Sequence, residues 1–216
     1  MASDAAEYLF FALGSIATLV CCTPYKPISA IRQTGEPGRE DPFVYMIVLA
    51  SCLVWLVYCA ATSNCLLFAI NVAAMIFQCY YLDVFMLVYT EDFARYVFGV
   101  FTLVIEMALF IFFCPLTVAT DDAKKMVWGA VGVSCSGFMY LVASMEITEL
   151  YKAGKVRDAY RATVAWLFSG VFRAIYARIR GEVMLEISNW IGIGFAVIQV
   201  VEYVWLYYKG NGRHED

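Results

Sequence analysis

The chain is a succession of long apolar stretches separated by short polar breaks. The stretches run over 8–23, 43–61, 65–89, 96–119, 126–147, 162–179 and 183–208. As a helix rising about 1.5 Å per residue, each reaches across a hydrocarbon core about 30 Å thick, although the first is short and the sixth is flanked by charge. Within a bilayer every backbone amide must find an internal partner, which leaves helices or a closed barrel. No run of about ten residues with alternating polarity is present, so a barrel is excluded. The pattern predicts an all-α membrane protein of seven transmembrane helices.

Sliding the chain by 118 positions without a gap aligns it with itself. Ala12 falls on Ala130, Gly14 on Gly132, Arg39 on Arg157, Ser51 on Ser169, Tyr58 on Tyr176, Asn71 on Asn189, Phe77 on Phe195 and Tyr89 on Tyr207. Overall identity is low, but a Ser, a Tyr and an Asn keep their separations inside apolar stretches, and the stretch edges coincide. Spans one to three and five to seven therefore read as two copies. Three helices per copy with one between them give both copies the same direction through the membrane, a parallel repeat about an axis along the membrane normal. The expected organisation is a first triple-helix bundle over 5–89, a linker helix over 95–119, a second bundle over 126–208 and a polar cytosolic tail over 209–216.

Composition agrees with the pattern: 62% of the 216 residues are hydrophobic and the mean hydropathy is +0.71, well above soluble domains. The net charge of −4 carries little information, because orientation follows the placement of Lys and Arg in short loops. With the N-terminus outside, the inner segments hold Lys26, Arg32, Arg39, Arg95, Lys152, Lys155, Arg157, Arg161, Lys209 and Arg213, and the outer ones only Lys124, Lys125, Arg178 and Arg180. That bias places the N-terminus on the extracellular or lumenal side and the C-terminus in the cytosol. The first span lacks a basic leader and a small-residue cleavage site, and is expected to stay in the fold. The eight cysteines form no CxxC pair and have no His at ligand spacing, so they read as small packing residues. His214, the one histidine, lies in the polar tail. With no phosphate-binding loop, no metal-ligand set and no nucleophile–base pair, neither an enzyme nor a nucleotide-driven pump is expected, and no cofactor or metal.

Asn71 and Asn189 are the polar pair that the repeat singles out. Amides in a span are costly unless paired or hydrated, and a pseudo-twofold axis brings equivalent positions toward one centre. Two amides on a shared cavity suit an uncharged, polyhydroxylated ligand. The alternative is that each bonds a neighbouring helix as packing glue.

The chain resembles the SWEET sugar transporters of the MtN3/saliva type. The resemblance rests on TPYKPISAI (23–31), a short basic loop, DPF (41–43), CLVWLVY (52–58) and AINVAAMIFQCYY (69–81) in the first copy. In the second it rests on GFMY (137–140), SGVFRAIYA (169–177), EISNWIGIG (186–194) and IQVVEY (198–203). It implies a facilitative, bidirectional sugar carrier working by alternating access, with Asn71 and Asn189 binding sugar, Trp55 packing on its ring and Ser51 one turn earlier; Ser169 is the repeat partner of Ser51. It places an extracellular gate at Tyr58 and Glu182, with Tyr176 as the repeat partner, and intracellular hinges at Pro24 and Pro42. In the second copy Ala143 and Ala159 stand where the family has prolines. A mono- or disaccharide substrate, a plasma membrane or endomembrane location, lipid contact and a possible homo-oligomer follow from the same likeness, and nucleic acid is not a partner.

Arg173 is the main departure, standing where the first copy has Trp55. A guanidinium in mid-span costs several kcal/mol unless compensated. Either it faces a hydrated cavity and favours an acidic or phosphorylated substrate, or it pairs with Glu186 or reaches the outer surface. Asp83, Glu106 and Glu202 lack repeat partners and are expected at helix contacts or headgroups. A cargo or ligand receptor with the 3+1+3 layout of the KDEL receptor, which has a similar GVFRAIY-like stretch, is the alternative function. A retinal protein needs a lysine in the last span, and 183–208 has none.

Overall fold

The computed structural model describes residues 2–21, 25–35, 42–88, 120–152 and 156–211. They form seven helices: α1 (Ala2–Cys21), α2 (Tyr25–Thr34), α3 (Pro42–Thr62), α4 (Cys65–Val88), α5 (Asp121–Lys152), α6 (Val156–Arg180) and α7 (Val183–Asn211). Six of the seven expected spans are represented, by α1 and α3 to α7; the linker over 95–119 lies outside the described residues. Four helices are long and apolar enough to cross a membrane, over Pro42–Thr62, Cys65–Val88, Asp121–Met145 and Val183–Trp205, and Ala5–Thr18 is a shorter apolar segment. The sixth span is helical but falls outside that set.

Burial is distributed as a bilayer requires. Large apolar side chains such as Ile76, Leu87, Ile198, Val201 and Trp205 are exposed, while Ser51, Asn71, Thr163, Ser169, Asn189 and Gln199 are buried. A surface that meets lipid gains nothing by hiding leucine, whereas polar groups must be taken inside and paired.

The chain divides into two compact units. One comprises Met1–Cys21 with Ser136–Asp216, the other Cys22–Cys135. This grouping cuts differently from the sequence copies: the first unit holds α1 of the earlier copy with α6 and α7 of the later one. Within it α1 packs along α6, and α6 along α7. Within the second, α3 packs on α4, and α2 joins α4. Ile28, Ile31, Tyr45, Met46, Leu49, Tyr81, Leu82, Val84 and Phe85 close that unit's core, with Tyr45 edge-on to Tyr81 at 5.5 Å and tilted on Phe85 at 5.4 Å.

The repeat is visible in backbone detail at the two helical hairpins. Between α3 and α4, Ser63 takes a left-handed φ of 54°, the Asn64 N–H donates to the Cys59 carbonyl at 3.0 Å, and the Phe68 N–H to the Asn64 carbonyl at 3.0 Å. Between α6 and α7, Gly181 has φ 70°, the Glu182 N–H donates to Ala177 at 2.9 Å and the Glu186 N–H to Glu182 at 2.9 Å. Every one of these residues is 118 positions from its counterpart. Both turns end a helix through one left-handed residue and return the next amide to a carbonyl one turn back, the Schellman solution to unpaired terminal carbonyls.

Candidate functional site

The two asparagines are set by these hairpins, each seven residues beyond its turn's closing amide. Asn71 and Asn189 are both buried. Asn71 donates an Nδ2 hydrogen to the Leu67 carbonyl at 2.7 Å, and Asn189 to the Leu185 carbonyl at 2.7 Å. Leu67 and Leu185 are again repeat partners. The bond fixes each amide against its own helix and uses one of its two N–H groups. The second N–H and the carbonyl oxygen of each have no further hydrogen bond among the described residues.

Trp55 and Arg173 occupy matching seats in different units. Trp55 is buried, edge-on to Tyr58 with centroids 5.2 Å apart, and its indole lies so close to α5 that a Cβ on Gly132 would stand 3.1 Å from Cε2 and Cζ2. Arg173, half-buried, lies equally close to α1: a Cβ on Gly14 would stand 2.8 Å from its Cγ and 3.3 Å from its backbone nitrogen. Gly14 and Gly132 are repeat partners, as are Trp55 and Arg173. The exchange of tryptophan for arginine is thus made at one structural position, on one kind of glycine floor.

Ser169, one turn before Arg173, lies 2.7 Å from the Thr18 hydroxyl and donates toward the Gly14 carbonyl at 3.5 Å, while Thr18 donates to the same carbonyl at 2.8 Å. Ser51 is buried at the equivalent place of α3. Gly170 brings α6 against the backbone of α7, since its Cβ would stand 3.6 Å from the Asn189 main-chain carbonyl oxygen. Ser169 and Arg173 thus meet α1 while the glycine between them meets α7.

The remaining expected residues are placed less decisively. Tyr58 and Tyr176 are buried, Tyr176 with Phe11 at 5.0 Å, and Glu182 is half-buried at the α6–α7 turn. Pro42 is the first residue of α3, where a missing N–H costs nothing; Pro24 lies outside the described residues. Ala143 is buried in α5, which continues unbroken from Asp121 to Lys152. The expected alternative partner of Arg173 is otherwise engaged: Glu186 accepts from Arg178 at 3.2 Å. Helical phase explains it, for Arg178 is at the end of α6 facing the first turn of α7.

Sequence reasoning did not single out a polar network in the second copy. Thr163 donates to Gln199 Oε1 at 3.0 Å, Gln199 Nε2 to Ser144 at 2.7 Å, and Thr148 to Glu202 Oε2 at 3.2 Å. Thr163 and Gln199 are the repeat partners of Tyr45 and Tyr81, so a hydrogen bond replaces an aromatic contact. The signal that could have found it was a glutamine inside an apolar span. No group of three or more His, Cys, Asp or Glu side chains suited to a metal occurs among the described residues.

No protein-family model matches the chain. It is similar to the bidirectional sugar transporter SWEET7b of Oryza sativa subsp. indica, 24% identical over 187 residues covering 82% of this chain and 68% of that one. It is also similar to SWEET5 of Arabidopsis thaliana, 22% identical over 203 residues and covering 90% and 83%. Its fold is that of a solved eukaryotic SWEET transporter, with a TM-score of 0.85 at 16% identity over 96% of this chain and all of the other. The chain therefore has a seven-helix membrane fold.

Proposed function

We propose, from the place in the SWEET family that these likenesses support, that this protein is a facilitative, bidirectional sugar carrier working by alternating access. Relatives named as transporters point away from an enzyme. The observation that carries the reading is the duplicated amide: Asn71 and Asn189 hold the same helical position, the same bond to the carbonyl four residues earlier and the same burial. In each copy that bond leaves one N–H and the carbonyl oxygen of the amide over, a donor and an acceptor of the kind a hydroxylated ligand uses.

On this reading Trp55 offers an apolar face to the C–H side of a sugar ring, and Ser51, Ser169 and Arg173 complete the polar contacts. Tyr58, Tyr176 and Glu182 form the outer gate, and Pro24 and Pro42 the inner hinges of the first copy. The basic-residue bias puts the N-terminus outside or in a lumen.

Counterflow of labelled glucose and sucrose in proteoliposomes tests the proposal. The intact protein exchanges label, and Asn71→Ala or Asn189→Ala lowers exchange at least about tenfold, the loss expected when a buried polar contact to ligand is removed. A receptor of the same fold would bind sugar or another ligand without exchanging it.

A further inference from the structure

Arg173 is the charged side chain that a carrier of neutral sugar does not need. Among the described acids of its own unit, Glu186 pairs with Arg178 at 3.2 Å, Glu7 with Arg180 at 3.4 Å, Glu182 has a partner other than Arg173, and Glu202 accepts from Thr148. Glu202 is also 16 residues beyond Glu186 along α7, about 24 Å at the helical rise. Among the described residues Arg173 has neither an ion pair nor a hydrogen bond.

Escape to the outer surface is opposed by geometry. The root of the side chain is wedged against α1 at Gly14, and a helical Cα–Cβ bond leans toward the helix N-terminus. Here that direction runs from Arg180 back toward Ser169 and Gly170, the level at which α6 meets the Asn189 carbonyl. The guanidinium thus starts within about one turn of the place where α6 meets the α7 backbone at Asn189, with no anion among the described residues to balance it. A guanidinium at membrane depth requires an anion or water, and its planar fork matches a carboxylate or phosphate in two parallel hydrogen bonds.

We propose that Arg173 makes this carrier select an anionic sugar, one bearing a carboxylate or a phosphate, over a neutral one. The proposal rests on the transport reading and deepens it at the same site.

The test is counterflow of labelled glucose, glucuronate and glucose 6-phosphate in neutral phosphatidylcholine vesicles, with parallel arms containing anionic lipid. The expected result is that glucuronate or glucose 6-phosphate exchanges about tenfold or more faster than glucose at equal low concentration, as one charge-assisted contact permits. The two anionic arms say which group is read. Arg173→Trp, which restores the aromatic of the other copy, abolishes the preference, read as the ratio of anionic to neutral exchange, and Arg173→Lys keeps part of it. This wild-type comparison needs no variant to fold. The inference is overturned if glucose exchanges best in the wild type and Arg173→Trp leaves the order unchanged. It is equally overturned if anionic lipid raises the thermal midpoint through Arg173 with no effect on substrate order, since the guanidinium then serves a lipid phosphate. Exchange of none of the three sugars would overturn the transport reading itself.

Discussion

At the scale of single residues, the tightest constraint lies where two glycines accept the side chains of Trp55 and Arg173. A methyl group at Gly14 meets the Arg173 Cγ at 2.8 Å, and a Cγ so near its own backbone cannot swing away. Overpacking of this kind costs about 1–3 kcal/mol, against a helix-propensity gain of about 1 kcal/mol for Gly→Ala. Gly14→Ala is therefore expected to lower the thermal midpoint in detergent. Gly137, on α5 with nothing within 4 Å of its would-be Cβ, shows the propensity term alone, and Gly137→Ala is expected to raise it. Equal shifts at both positions would refute the contact account. The sequence displayed Gly14 and Gly132 as repeat partners and Arg173 as an anomaly, but it could not join them. The contact links residues 159 positions apart on helices from different copies, and periodicity along a chain carries no information about which helix lies opposite.

At the scale of elements, the hairpins explain why α3 and α4 were legible to within a residue or two. Apolar stretches stop where the chain must turn, and both turns use a left-handed residue followed by an amide returning to the helix. The second copy places Gly181 there, which adopts φ 70° without steric cost; the first uses Ser63 at φ 54°, against the clash of its Cβ with backbone, about 1–2 kcal/mol. Ser63→Gly is expected to stabilise the protein by about 1 kcal/mol and Gly181→Ser to destabilise it by a similar amount, read as opposite shifts in thermal midpoint. Shifts of the same sign would mean that the two turns are not equivalent. Hydropathy failed where helix and membrane part company. The helix over Tyr25–Thr34 and the end of α5 through Lys152 are polar, and an apolar pattern marks the bilayer rather than the length of a helix. The same limit hid the Thr163–Gln199–Ser144 network: a glutamine in a span signals a partner but not its address.

At the scale of the molecule, duplication and compactness follow different lines. The copies are consecutive in sequence, yet α1 belongs with α6 and α7, so the first copy is tied to the second through Gly14, Thr18, Ser169 and Arg173. Such pairing makes the copies interdependent, since neither α1 nor α6 buries its small and polar residues without the other. A cross-link can test it. In a background with all eight cysteines replaced, Thr18→Cys with Ser169→Cys puts two thiols where hydroxyl oxygens lie 2.7 Å apart, and a protease site at exposed Thr120 separates the parts carrying α1 and α6. After oxidation and cleavage the chain is expected to run as one species without reductant and as two fragments with it. Thr18→Cys paired with Phe168→Cys, whose side chain is 54% exposed, is expected to give two fragments in both conditions. If the Ser169 pair also fails to link, α1 does not pack along α6 in the membrane. The glycine floor beneath Arg173 would then be absent, and with it the contact at Gly14 that opposes a swing of the guanidinium to the outer surface.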